Sequence, residues 1–169
     1  MNALVIVLRL IHVVAGVFWV GTSMFSTFFL SPAVEATAEA GQKVMGHLVA
    51  KARLSVRVTV ASYLTVLAGL ALYWIDSQGF TSAWQNSGPG VGFGLGAIAG
   101  LLGFGVGQLV GKNAALIGRL AAQMQGMPSP EQVAALKQAQ ARLTSSSRIS
   151  SGFLILALAL MGTARYWLL

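Results

Sequence analysis

The sequence predicts an all-α polytopic membrane protein. Four transmembrane helices form two hairpins in parallel repeat, with helical cytoplasmic loops. Three observations predict it. First, 56% of the 169 residues are hydrophobic and only 9% are charged, against about 25% charged in a soluble domain. Second, four apolar stretches, at about 4–30, 54–75, 91–110 and 149–168, have the length that crosses a bilayer core as helix, about 20 residues. Third, Lys and Arg gather in two of the three connections and are absent from the other. Residues 1–169 are read as a single four-helix transmembrane domain.

The first span, Leu4–Leu30, carries only two ionisable side chains, Arg9 and His12. At helical spacing Arg9, His12, Gly16, Trp19, Ser23 and Thr27 share one narrow face. That face is expected to meet protein or a cavity, because an ionisable group at mid-bilayer costs roughly 2.5 kcal/mol or more. The apolar region is too long for a cleaved signal peptide and has no basic head, so a retained helix is expected. Ser31-Pro32 should end it, since the residue before Pro avoids the α region. Over 33–52, Val34, Ala38, Gly41, Met45, Leu48 and Ala52 recur at helical spacing opposite Glu35, Glu39, Lys43 and Lys51. This reads as one amphipathic helix at the membrane surface or extending a span.

The second span carries a small and polar stripe, Ser55, Thr59, Ser62, Gly69, Tyr73 and Asp76. Such stripes meet other helices in membranes. Residues 77–90 form a turn-rich linker. The third span is the most Gly-rich. Gly92, Gly96 and Gly100 lie four apart, as do Gly103, Gly107 and Gly111. They read as two offset small-residue faces clasped by two different neighbours, within the chain or in a second copy. Lys112–Met127 continues as a polar helical extension. Ser129-Pro130-Glu131-Gln132 then has the pattern of a capped helix start, leading into the fourth span. Ala52-Arg53-Leu54-Ser55 and Tyr73-Trp74 around span two resemble Ala141-Arg142-Leu143-Thr144 and Tyr166-Trp167 around span four. That internal repeat implies two hairpins in the same orientation.

Loop 31–53 holds Lys43, Lys51 and Arg53, and loop 111–148 holds Lys112, Arg119, Lys137, Arg142 and Arg148. The positive-inside rule makes both loops cytoplasmic and places both termini outside the cytoplasmic (inner) membrane. Tyr73, Trp74, Trp84, Tyr166 and Trp167 then form an outer aromatic belt. The net charge of +7 reflects this topology and contact with anionic lipid rather than nucleic acid. The expected partners are the lipid bilayer and either a homo-oligomer or a larger membrane complex. Cys is absent, which excludes disulfides, thiolate metal sites and thiol nucleophiles. No carboxylate pair, P-loop, zinc motif or Ser–His–Asp set appears, and no catalytic residue is assigned.

One constellation has chemical potential. Arg9, His12, Tyr73, Asp76, Arg165 and Tyr166 all fall near the outer helix ends. Two readings are open. In one, Asp76 forms a structural ion pair or triad with Arg9 and Arg165, fastening the bundle. In the other the group lines a pocket. His12 is then the metal ligand, to haem iron or copper, and Arg9 and Arg165 pair with haem propionates. Gly16, Trp19 and Tyr73 complete that pocket. His47 lies a membrane thickness away, so one chain offers no bis-His site. Met161 or a second copy's His12 would be the other ligand.

The run LIHVVAGVFWVG, Leu10–Gly21, and Phe28-Phe29-Leu30-Ser31-Pro32-Ala33 after it resemble a group of small four-helix bacterial membrane proteins. The group includes the CopD copper-resistance domain, HemJ-type protoporphyrinogen oxidases and the membrane part of PuuD-type urate oxidases. The chain is most like members with no assigned activity. The shared pattern is a His followed by a Trp and a Gly about two turns on, and it covers roughly the first third of the chain. The resemblance implies b-type haem or porphyrin at His12, and no other cofactor. The remaining alternatives are a non-catalytic subunit or assembly factor docking through the third span, and passage of copper or a small solute.

Overall fold

The computed structural model describes residues 3–123 and 129–168. Helix α1 (Ala3–Phe25) runs through a π-helical turn, Ser26–Leu30, into α2 (Ser31–Ala36). The short α3 (Ala38–Ala50) leads to α4 (Leu54–Asp76), α5 (Gly88–Gln123) and α6 (Pro130–Thr163). Among the described residues there is no strand. Four helices are long and apolar enough to cross a membrane: α1 with its extension, α4, α5 and α6.

Helix α1 packs along α4, and α5 along α6, as two hairpins. The hairpins meet more sparsely, through α4 against α5 and α1 against α6. At mid-height all four helices converge. Trp19 and Val20 of α1, Ala61 of α4 and Leu154 of α6 are buried together, with Phe104 of α5 against them. The Phe104 ring takes Trp19 and Tyr63 edge-on, with centroids 6.1 and 5.0 Å away. Such pairs add about 0.5–1.5 kcal/mol beyond area burial. From His12 on the α1 stripe faces inward as expected, with Trp19 5% exposed against 69% for Val17, while Arg9 at its end is exposed. Further along it, Thr27 Oγ1 and Ser151 Oγ of α6 share a hydrogen bond at 3.0 Å.

Pro32 does not end the first helix. The Ser31 N–H reaches back five residues to the Ser26 carbonyl. Pro lacks an N–H and its ring needs room at the carbonyl four residues earlier. The wide π turn provides that room. The break comes instead at Thr37 and Ala38, the latter with φ 47°. The amphipathic stretch 33–52 is therefore two helical pieces rather than one. Its stripe survives: Val34 and Gly41 are buried, while Glu39 and Lys43 form an exposed pair at 2.8 Å.

The glycines of α5 form one stripe rather than two faces. A Cβ on Gly92 would meet Ala164. On Gly96 it would lie 2.6 Å from Met161 Cγ, and on Gly103 3.0 Å from Leu154 Cδ2. Gly100 and Gly107 face Ala157 and Ser150 at 3.9 and 3.5 Å, and a Cβ on Gly111 would touch nothing. Steps of four, four, three and four residues keep Gly92 to Gly107 on one side of the helix. A single neighbour, α6 with the turn that follows it, occupies that side. The Ser150 hydroxyl donates to the Gly103 carbonyl at 2.8 Å, which only the close approach allows.

The polar extension of α5 reaches Gln123, and 124–127 lie outside the described residues. Helix α6 starts as the sequence predicts. Ser129 Oγ accepts from the Gln132 N–H, and the Gln132 side chain accepts from the Ser129 N–H. The same hydroxyl donates to Glu131 and, as the main cause, holds that carboxyl below its ordinary range.

Candidate functional site: the His12 seam

Helices α1 and α4 run antiparallel, and small residues set how closely they approach. A Cβ on Gly16 would sit 3.4 Å from Thr65 Cγ2. One turn along, the His12 ring lies in a notch on α4. Its Nδ1 is 2.8 Å from the Thr65 main-chain oxygen. A carbonyl oxygen only accepts, so Nδ1 carries the proton and donates. Gly69 makes the notch: a Cβ there would fall 2.7 Å from His12 Cε1 and 2.9 Å from Nδ1. The Thr65 hydroxyl turns back to the Ala61 carbonyl at 2.8 Å and leaves the ring to the main chain. Nε2 has no hydrogen-bond partner among the described residues. With the proton on Nδ1, the neutral form of the ring would leave the Nε2 lone pair open to a ligand role.

Further toward the end where 77–87 joins the hairpins, Arg9 reaches Asp76 at 3.9 Å. The two side chains are 44% and 37% exposed, so this is a long, solvated pair with little energy in it. Arg165 does not join it. It lies in the turn Ala164–Tyr166 after α6, which packs on α5, and forms no ion pair among the described residues. Of the ion pair or triad expected, the pair of Arg9 and Asp76 forms, and Arg165 belongs to the other hairpin.

Tyr73 does not reach His12 either. Its hydroxyl donates to the Gly90 carbonyl in the first turn of α5 at 3.2 Å, and its ring packs on Trp84, in the segment leading into α5, at 5.4 Å. Trp19 belongs to the mid-height core. Met161 presses on Gly96 inside the other hairpin and is committed to packing. His47 is exposed on α3. Of the expected site residues, Arg9, His12 and Gly16 lie along the α1–α4 seam, His12 and Gly16 against Thr65 and Arg9 against Asp76. Thr65 and Gly69 are the additions.

The donor set fits a single imidazole ligand with a fixed tautomer. Among the described residues no three His, Asp or Glu side chains gather as a metal site. Comparison with protein-family models, curated proteins and solved structures found no match. Fold and seam together define a four-helix protein of membrane-spanning type with one oriented histidine between its first two long helices.

Proposed function

We propose that this protein binds b-type haem, or a related porphyrin, through Nε2 of His12. The observation that carries the reading is the hydrogen bond from Nδ1 to the Thr65 carbonyl. Ligand histidines are held this way: the second nitrogen donates to a carbonyl, which fixes the tautomer and aims the first. Gly69 seats the ring against α4, and Gly16 lets Thr65 approach beside it. Arg9 lies one turn along, and its long bond to Asp76 leaves the guanidinium able to take a propionate as a charge-assisted pair. Arg165 lies in the other hairpin, so Arg9 alone is proposed as a propionate partner. Bound haem would supply one-electron chemistry. The chain would contribute one axial ligand, since Met161 and His47 are placed elsewhere. The resemblance of Leu10–Gly21 to CopD- and HemJ-type first spans supports the same residue. HemJ-type enzymes also use a Lys in the third span, and 91–110 has no ionisable residue. Binding rather than porphyrinogen oxidation is therefore proposed.

The reading places the protein in a bacterial inner membrane with 31–53 and 111–148 cytoplasmic and the His12 end outside, from the Lys and Arg distribution. Docking of a larger complex through the third span is less favoured, because the glycine stripe is covered by α6. Titration of the purified protein with haem tests the reading. A Soret band saturating at about one haem per chain, the ratio one axial ligand implies, is expected. A spectrum that stays that of free haem overturns it.

A further inference from the structure

At the opposite end of the bundle a groove of about 520 Å³ lies between the end of α2 and the middle of α6. Its lining includes Glu35, Gln140, Thr144, Ser145, Arg148 and Ile149. Three of the α6 hydroxyls near this end are already hydrogen-bonded. Ser146, Ser150 and Ser151 bond to the Arg142 carbonyl, the Gly103 carbonyl and Thr27. The side chains of Thr144 and Ser145, with Gln140, Arg148 and Glu35, make no hydrogen bond or ion pair among the described residues. Arg148 and Glu35 thus face one groove without closing on each other. Ile149 beside them begins the apolar part of α6, so the groove opens where headgroups meet hydrocarbon.

We propose that this groove holds the headgroup of a phospholipid that carries both a phosphate and a primary ammonium, of the phosphatidylethanolamine class. Arg148 takes the phosphate, with the Thr144 and Ser145 hydroxyls as further donors. Glu35 takes the ammonium, with the Gln140 side-chain carbonyl beside it. A cation and an anion held apart in one groove match a headgroup whose opposite charges are joined by a short ethylene link. An acyl chain continues past Ile149 into the bilayer. The basic residues around this end attract anionic lipid without selection. Glu35, as a hydrogen-bond acceptor, is what discriminates against a headgroup with no N–H-bearing ammonium.

Native mass spectrometry of the detergent-solubilised protein, with equal phosphatidylethanolamine, phosphatidylcholine and phosphatidylglycerol supplied, tests this. Wild type should retain phosphatidylethanolamine preferentially. Arg148→Gln should cut retention of all three by about tenfold, the worth of one charge-assisted hydrogen bond. Glu35→Gln should erase the preference for phosphatidylethanolamine while phosphate lipids still bind. Both side chains are exposed, so neither substitution removes packing. Equal retention of the three lipids by wild type, or variants that behave as wild type, would overturn the proposal. Glycerophosphoethanolamine, which lacks acyl chains, should not be retained. Retention equal to that of the lipid would refute a membrane source for the ligand.

Discussion

The Nδ1 of His12 lies 2.8 Å from the main-chain oxygen of Thr65, across the seam between the first two long helices. That oxygen belongs to a helix whose next turn offers Gly69, and only the missing Cβ lets the ring reach it.

Gly69→Ala should therefore act on His12. A Cβ 2.7 Å from the ring must push the imidazole off the carbonyl or spread the helices. Overpacking of this kind costs about 1–3 kcal/mol. Combining it with His12→Ala should cost less than the sum of the two, because the smaller side chain vacates the notch. Reversible unfolding in mixed detergent measures all three variants. Strict additivity would show that the two residues do not share the notch.

Asp76→Asn should cost under about 1 kcal/mol, since its bond to Arg9 is long and both groups are more than a third exposed. The same unfolding assay decides. A loss of several kcal/mol would mean that Asp76 holds the bundle end through a buried network.

The glycine stripe predicts a sharp positional contrast. Gly103→Val should destabilise by about 1–3 kcal/mol through its clash with Leu154. Gly105→Ala and Gly111→Ala meet nothing and should be neutral or stabilising by up to about 1 kcal/mol, from helix propensity alone. Equal effects at the three positions would contradict close packing of α5 on α6.

The four spans were legible because long apolar runs and absent charge leave few alternatives to membrane helices. The inward stripe of α1 was legible for the same reason: polar groups on one face require a protein neighbour. The course through Pro32 was not legible, since a π turn is a local compromise that no periodicity announces. The single stripe on α5 was hidden by the step of three between Gly100 and Gly103, which reads as an offset but continues the same side of a helix. In the candidate site, His12 stood out as one of only two ionisable groups in the first span. Thr65 did not, because it acts through its carbonyl oxygen, which every residue has. Gly69 was visible in the polar stripe of the second span, but its pairing with His12 depends on the register of two antiparallel helices. Arg165 and Asp76 share an end of the bundle, and helix position alone does not say which hairpin a side chain faces.

Orientation in the membrane can be read by Cys labelling. Asn86→Cys, exposed in the connection between the hairpins, should react with an impermeant maleimide added outside the cell. Lys43→Cys, exposed at the opposite end, should react only after the cell is opened. The reverse pattern would place His12 at the cytoplasmic face.

The most direct measurement is the visible spectrum of His12→Gly, with haem supplied, before and after imidazole is added. If His12 is the axial ligand, the Soret band of the wild type is absent from this variant. Free imidazole, entering the space left over Gly69, restores it. A variant whose band matches the wild type without imidazole would show that His12 only fastens α1 to α4 and that the haem reading is wrong.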